Sequence, residues 1–338
     1  MLNYFLRRLM YAVILVFVMS IISFIVIQLP PGDFATSYVA SISGSGMPEE
    51  RRELLINNMM ARYGLDQPIY IQYFKWIGGI LTRGDFGMSF NWNRPVGRII
   101  WERIPLTVFI GLVTLFFQFV VAIPIGIYSA VKQYSKTDYF FTFVSFVGVS
   151  IPNFLLALII MTLMFNVFGV SIGGLYSPEF REAAFSLAKF WDMLKHLIVP
   201  VIVIGMASTA GTIRVLRATM LDELGKDYVK VARAKGLRRW QAIIRHATRI
   251  ALNPIIAAIG WQLPQIISGA LIVSIVVGLP TTGPVLFEAL LSQDMYLAGA
   301  IILILSALTV LGTLISDLLL AATDPRITYG ESGQGAAA

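Results

Sequence analysis

The chain has 338 residues, of which 57% are hydrophobic and 13% are charged, and its formal net charge is +7. Soluble domains carry roughly 25% charged residues, so this composition excludes an ordinary soluble enzyme and indicates a membrane protein. Cysteine is absent and the two histidines, His196 and His246, lie far apart, which excludes thiolate metal sites and argues against a histidine metal centre.

Apolar runs of sufficient length recur along the chain. A helix needs about 20 apolar residues to cross a bilayer core of roughly 30 Å. We expect six such helices, at residues 9–29, 105–131, 139 to beyond 170, 197–213, 250–279 and 295–323. The predicted fold is therefore an all-α polytopic membrane protein with six transmembrane helices.

The distribution of basic residues predicts which side of the membrane each segment faces. With the N-terminus inside, 15 of the 26 Lys and Arg residues fall on the inner side, and ten of these lie from Arg214 to Arg249. Short loops rich in Lys and Arg stay on the cytoplasmic side, whereas long loops are exempt from this rule. We expect both termini to be cytoplasmic. We interpret the positive charge as a topology signal and expect no nucleic-acid partner.

The segments outside the spans divide the chain into predicted regions. These are an N-terminal transmembrane helix (1–29), an extracytoplasmic region (30–103), a core of five helices (104–323) with a cytoplasmic loop (214–250), and a cytoplasmic tail (324–338). The outer region is expected to hold a helix at 48–63 and turns at 30–32 and 83–85. The pattern at 177–194 predicts an amphipathic helix that lies either at the membrane interface or outside the membrane.

The loop at 214–250 is distinctive because it is basic and amphipathic between two apolar runs. Apolar side chains spaced by three and four predict a helical stripe formed by Leu221, Leu224, Tyr228, Val231, Ala234 and Leu237. Gly236 is placed to end this helix, since glycine tolerates a positive φ, and a second short helix is expected at 239–248. The pattern fits docking into another protein, and it equally fits a basic loop resting on anionic lipid head groups.

The same segment resembles the cytoplasmic EAA loop of ABC-importer permeases, in the form found in the peptide/nickel/oligosaccharide (OppB/DppB-like) family. That form is close to DYV-x-x-ARAKGL…RHA-x-R-x-A-L-x-P, and the matching residues are Asp227, Tyr228, Val229, Ala232 through Leu237, Arg245, His246, Ala247, Arg249, Ala251, Leu252 and Pro254. Further likeness lies in RYGLDQPIYIQYFKW (62–76), RGDFGMSF (83–90), RIP-x-T (103–107) and TDPRI (323–327). The segment LPTTG (279–283) departs from the family's aromatic-Pro-Gly-x-Gly.

The resemblance implies a type I ABC-importer permease fold with an extended outer region after the first helix, in a bacterial (inner) cell membrane. It implies a subunit that forms half of a translocation pore for peptides or similar small solutes, beside a second homologous permease. Two cytoplasmic ATPases would bind ATP and Mg and each receive one coupling helix (224–239), so this chain would hold no cofactor or metal and would not be an enzyme. An extracytoplasmic solute-binding protein would deliver the cargo.

The residues expected from the resemblance to couple to the ATPase are Tyr228, Ala232, Arg233, Ala234, Lys235, Gly236, Leu237, His246 and Arg249. We expect His246 to cap or pack against this segment. Asp317, an acid within the last span, is expected to pair with Arg214 or Arg217 rather than contact cargo. The alternatives are the same architecture importing oligosaccharides or opine-like solutes and, more remotely, a stand-alone secondary transporter or membrane enzyme.

Overall fold

The computed structural model describes residues 2–28, 39, 48–63, 66–170 and 172–323. Apart from one isolated bridge between Met88 and Pro95, the regular structure in these ranges is helical. The helices are α1 (Leu2–Gln28), α2 (Glu49–Tyr63), α3 (Ile69–Arg83), α4 (Val96–Val131), α5 (Lys136–Ser150), α6 (Asn153–Phe168), α7 (Leu187–Leu224), α8 (Asp227–Ala234), α9 (Arg239–Ala251), α10 (Asn253–Val277), α11 (Thr282–Leu291) and α12 (Met295–Thr323).

Several of these helices are long and apolar enough to cross a bilayer. Within the described ranges, four meet this test alone, at Phe5–Ile25, Val96–Val131, Leu187–Leu224 and Met295–Leu318, and three bent helix pairs raise the number to as many as seven. The predicted six spans fall inside this range. Large apolar side chains on these helices, such as Phe116, Phe143 and Phe165, are exposed, as expected for side chains that face lipid.

Two predicted elements differ from the structure. The uncharged run that begins after Asp138 is not one continuous helix, because α5 and α6 meet at 107° across Ile151 and Pro152. Proline disfavours helical geometry in the residue before it, and Ile151 is extended, with ψ at 125°. The amphipathic helix predicted at 177–194 is also wrong: Pro178–Phe180 forms a short 3₁₀ turn, and the helix that begins at Leu187 continues without interruption to Leu224.

The outer-region predictions stand where the structure describes them. Helix α2 occupies the predicted 48–63 segment, and α3 ends at Arg83 because Gly84 takes a positive φ of 64°. The turn predicted at 30–32 and the tail at 324–338 lie outside the described residues.

The chain divides into two compact units. The larger comprises Met1–Leu9, Leu106–Pro280 and Thr309–Ala338, and the smaller comprises Met10–Pro105 and Thr281–Leu308. The core of the larger unit is built by α4, α6, α7 and α10, and its buried side chains include Ile110, Ala157, Leu197, Val203, Ile266 and Val273.

In the smaller unit, aromatic packing joins α1 to α3. The ring of Phe24 lies 5.5 Å from the rings of both Tyr73 and Trp76, and the hydroxyl groups of Ser20 and Tyr73 are 2.8 Å apart. Since a buried hydroxyl needs a hydrogen-bond partner, this pairing satisfies both groups while the rings bury apolar surface.

A buried carboxylate fixes the loop after α3 to the start of α12 within the smaller unit. Asp294 accepts hydrogen bonds from the Ser89 hydroxyl (2.5 Å) and the Asn91 backbone N–H (3.2 Å), and it caps α12 by accepting from the Leu297 N–H at 3.2 Å. Burial raises the pKa of this carboxyl above its usual value, because desolvation disfavours the charged form.

Candidate functional site

Helix α8 is a short, rigid element with a sharp end. Its last turn closes with a Schellman motif, in which the N–H of Leu237 donates to the carbonyl of Ala232 (3.3 Å) and the N–H of Gly236 donates to that of Arg233 (3.0 Å). Gly236 takes a φ of 92°, which confirms the prediction made for it. A Cβ at this position would meet no atom within 4 Å, so the requirement for glycine is conformational.

A buried carboxylate joins α8 to the long helix α7. Glu223 is 7% exposed, and it accepts hydrogen bonds from the Tyr228 hydroxyl and from Lys226 Nζ, the latter at 2.5 Å. Burial and the neighbouring carboxylate raise the pKa of Tyr228. The tyrosine therefore stays a neutral donor at physiological pH, and the joint between the two helices is held by charge-assisted hydrogen bonds.

The underside of α8 packs on an apolar cluster at the end of α7. Val229 and Ala232 are buried there with Leu216, Met220 and Ala247. The predicted stripe does not lie on one helix face, since Val231 and Ala234 are exposed whereas Leu221, Leu224, Tyr228 and Leu237 are half-buried. Helix α7 ends at Leu224 and α8 restarts at Asp227, so the helical periodicity is broken between the two and the buried face shifts.

Helix α9 completes the site and is longer than the predicted 239–248. It begins where the N–H of Arg238 donates to the side chain of Gln241 (3.1 Å), and a π-helical turn lies at Ile243–Ala247. The hydroxyl of Thr219 on α7 donates to the carbonyl of Ala251 (3.1 Å), which ties the end of α9 to α7.

Residues 227–251 thus form one helical platform, called here the basic platform. Four of its large apolar side chains are exposed, namely Val231 (52% exposed), Trp240 (47%), Ile244 (59%) and Ile250 (44%). Exposed cations surround them, namely Lys230, Arg233, Lys235, Arg238, Arg239, Arg245 and Arg249. Asp227 is exposed but pairs with Lys230 at 2.9 Å, so the surface is both apolar and strongly positive.

The nine residues predicted to couple to a partner do not all reach this surface. Arg233, Ala234, Lys235, Gly236, His246 and Arg249 are exposed, Tyr228 and Leu237 are half-buried, and Ala232 is buried. The exposed side chain of His246 does not support the expectation that it packs against the segment. Trp240 and Ile244 were missed, although their spacing of four residues places them on one helix face.

The acid in the last span has a different partner from the one predicted. Asp317 pairs with Arg8, with an oxygen–nitrogen distance of 3.3 Å, so structural pairing is confirmed but the choice of Arg214 or Arg217 is wrong. Arg217 instead makes a bidentate contact with Asp138, at 2.9 and 2.8 Å. The guanidinium of Arg214 lies over the ring of Phe146, 5.6 Å from its centroid.

Two family patterns match the chain. The pattern described as "binding-protein-dependent transport system inner membrane component" matches residues 122–329, and its N-terminal companion matches residues 1–111. The first match contains the whole basic platform.

Proteins of known name align with the chain along nearly its entire length. It is 35% identical to the oligopeptide transport system permease protein AppB of Bacillus subtilis over 328 residues, which cover 96% of this chain and 99% of that protein. It is 31% identical to the dipeptide transport system permease protein DppB of Escherichia coli K12, with 97% and 99% covered. It is 30% identical to the oligopeptide permease OppB of Haemophilus influenzae, with 97% and 100% covered. The chain therefore belongs to the family of binding-protein-dependent inner membrane transport components, multi-pass ABC permease subunits with the type I importer fold.

Proposed function

We propose that this chain forms half of the pore of an ATP-driven peptide importer and is coupled through the basic platform to a separate cytoplasmic ATPase. A second, homologous permease forms the other half. Two ATPase subunits bind ATP and Mg, and an extracytoplasmic solute-binding protein delivers the cargo. Both termini and the platform lie on the cytoplasmic side, in agreement with the concentration of Lys and Arg between residues 214 and 249.

The observation that carries the proposal is the combination of a fixed mounting on α7 with an exposed surface that is both apolar and positively charged. The platform is fixed to α7 by Glu223 and by the apolar cluster beneath Val229 and Ala232. Its outward apolar side chains, Val231, Trp240 and Ile244, lie among cations. Aromatic and aliphatic side chains surrounded by charge are typical of a protein-binding surface.

A lipid-resting loop fits this arrangement less well. Binding to anionic head groups requires only clustered Lys and Arg near the membrane. It requires neither the Schellman end at Gly236 nor the joint from Tyr228 to Glu223. A stiff, sharply terminated helix is what a partner needs in order to transmit its own movement to the spans.

The proposed cargo follows from the relatives. The aligned proteins carry names of oligopeptide and dipeptide permeases. Specificity in such a system rests largely on the binding protein, so the direct check is to identify that protein and measure its thermal shift with short peptides and with oligosaccharides. A shift with sugars alone would replace peptides by oligosaccharides in the proposal.

The coupling role is tested by changing the exposed surface while leaving the buried face intact. Ala234→Trp and Arg233→Glu are expected to lower ATP-driven peptide uptake at least about tenfold, because each changes a surface contact. Membrane insertion should stay normal, since both side chains are exposed. Lys136→Glu, a charge reversal at an exposed cation outside the platform, is the matched control and should transport normally.

Co-purification with the ATPase distinguishes the outcomes. We expect the two platform variants to recover less ATPase than the wild type or the Lys136→Glu control. Wild-type uptake with normal ATPase recovery in both platform variants would refute the assignment.

A further inference from the structure

A groove in the larger unit runs between α7 and α10 and is distinct from the basic platform. Its volume is about 950 Å³, at the upper end of the range of roughly 300–1,000 Å³ found for ligand pockets. On α7 its wall extends from Ile204 to Ala218, which at 1.5 Å per residue is a length of about 21 Å. An extended chain of about six residues has this length.

The groove is apolar over most of its area but carries a specific set of polar groups. The polar residues among those that line it are Asn153, Gln262, Gln265, Ser208, Thr212 and Arg214. None of the residues that line it is acidic. Polar side chains inside a membrane helix bundle are costly, and they mark substrate pathways by default.

A buried network holds part of this polar wall in place. Gln118 is fully buried on α4, and its Nε2 donates to the hydroxyl of Thr212 (2.7 Å) and to Oε1 of Gln262 (3.0 Å). The amide NH₂ of Gln262 is left to act as a donor. Rigid placement of an amide by buried neighbours is a property of binding sites rather than of lipid-facing helices.

Arg214 gives the groove its polarity. The described part of the chain provides no carboxylate partner for this residue, and its guanidinium lies against the Phe146 ring. An arginine favours a planar, bidentate anion such as a carboxylate. Asn and Gln side chains both donate and accept hydrogen bonds, as peptide backbone groups do.

We infer that this groove is a cargo site within the membrane for short peptides, in which Arg214 binds the C-terminal carboxylate and the amide side chains bind the peptide backbone. This inference rests on the proposed function. Cargo of varied sequence shares only its backbone and termini, and these are the groups that amide side chains and an arginine can bind. Since Arg214 lies ten residues before the end of α7 at Leu224, the carboxylate would point towards the platform.

The natural absence of cysteine makes a direct test simple. The complete transporter is reconstituted with Ser208→Cys in this chain, and its modification by a cationic, membrane-impermeant methanethiosulfonate is followed by the mass of the chain. We expect modification in the absence of cargo and protection by tetra-alanine. Ile198→Cys, an exposed position on the same helix, is the lipid-facing control and should stay unmodified under both conditions.

The role of Arg214 is tested by changing the C-terminal group of the peptide from a carboxylate to an amide. Tetra-alanine with a free carboxylate should protect Ser208→Cys at about tenfold lower concentration than tetra-alanine amide, the difference expected for one charge-assisted contact. Adding Arg214→Gln should make the two peptides equal, while Arg214→Lys should retain part of the preference.

A second variant tests the groove without touching its polar groups. A side chain at Gly211 enters open space, since no atom lies within 4 Å of a Cβ built there. Gly211→Trp should therefore abolish uptake while the partner permease and ATPase still co-purify. Loss of the partner permease from this variant would show that the groove is a subunit interface and would overturn the cargo assignment.

The remaining outcomes separate the two proposals. If the wild-type assembly takes up peptide but tetra-alanine never protects Ser208→Cys, the groove assignment is wrong and the proposed function stands. If the wild-type assembly shows no ATP-driven peptide uptake, the proposed function is wrong and the peptide site falls with it.

Discussion

Gly260 is the position at which a single added methyl group should cost most, because α10 and α12 approach each other there within the larger unit. A Cβ at Gly260 would lie 2.6 Å from the Cα of Thr313 and 3.0 Å from the Cβ of Ser316. Carbon atoms in contact prefer about 3.5–4.0 Å, so Gly260→Ala forces the two backbones apart by roughly 1 Å. A flexible side chain can move aside, but the backbone of a neighbouring helix cannot.

The separation also affects a hydrogen bond that holds the two helices together. The hydroxyl of Ser316 donates to the carbonyl of Ile256 at 2.8 Å and to that of Ala257 at 3.1 Å, and about 1 Å of extra distance breaks both. Overpacking costs about 1–3 kcal/mol and the lost bond about 0.6 kcal/mol in a membrane bundle. Replacing glycine by alanine inside a helix stabilises the helix by about 1 kcal/mol. The net expectation is a destabilisation of about 0.6–2.6 kcal/mol.

Thermal unfolding of the purified protein in detergent measures this effect. We expect Gly260→Ala to melt several degrees below the wild type, at a few degrees per kcal/mol. The control is Gly78→Ala, a glycine inside α3 whose added Cβ would meet nothing within 4 Å, which should melt at or above the wild-type temperature. A Gly260→Ala protein as stable as the wild type would refute the close approach of the two helices.

Two further predictions concern buried acids. Because burial raises the pKa of Asp294, its contribution to stability is complete below about pH 4, the unfolded value, and is lost as the pH rises through the folded pKa. Asp294→Asn should therefore reduce the fall in melting temperature that accompanies a rise in pH above about pH 4; a slope identical to that of the wild type would contradict this. Asp138→Asn leaves the bidentate Arg217 without its carboxylate and should cost about 2–3 kcal/mol, somewhat less than a fully buried pair because Arg217 is partly exposed. Adding Arg217→Gln should recover most of the loss, and Asp227→Asn, at an exposed pair, should change the melting temperature little.

Features that depend on residues close together in the sequence were predicted correctly. Gly236 ends α8 because no other residue takes its φ of 92° without cost, and the helix at 48–63 follows from its own composition. The apolar runs long enough to span a bilayer can also be recognised in the sequence, because bilayer thickness sets their length.

Features that depend on tertiary contacts were predicted less well. Whether Asp317 pairs with Arg8 or Arg217 depends on which helix ends meet, and periodicity carries no information on that. The exposed position of Val231 depends on the break between α7 and α8, which moves the buried face to Val229. A stripe drawn through the break assumes one continuous helix, whereas its residues belong to two helices and do not share one face.

The basic platform and the groove are both mounted on α7, and this shared support connects the two proposals. The helix is continuous from Leu187 to Leu224 although it contains Pro200, and Arg214 lies about 15 Å from its end. The joint at Glu223 fixes the platform to that end through Tyr228 and Lys226. A stiff helix moves as one body, so a displacement of the platform by the proposed ATPase would also displace the guanidinium of Arg214. Arg214, which we propose binds the carboxylate of the peptide, thus lies on the same helix that would receive the motion of the ATPase. No other helix is needed to transmit that motion.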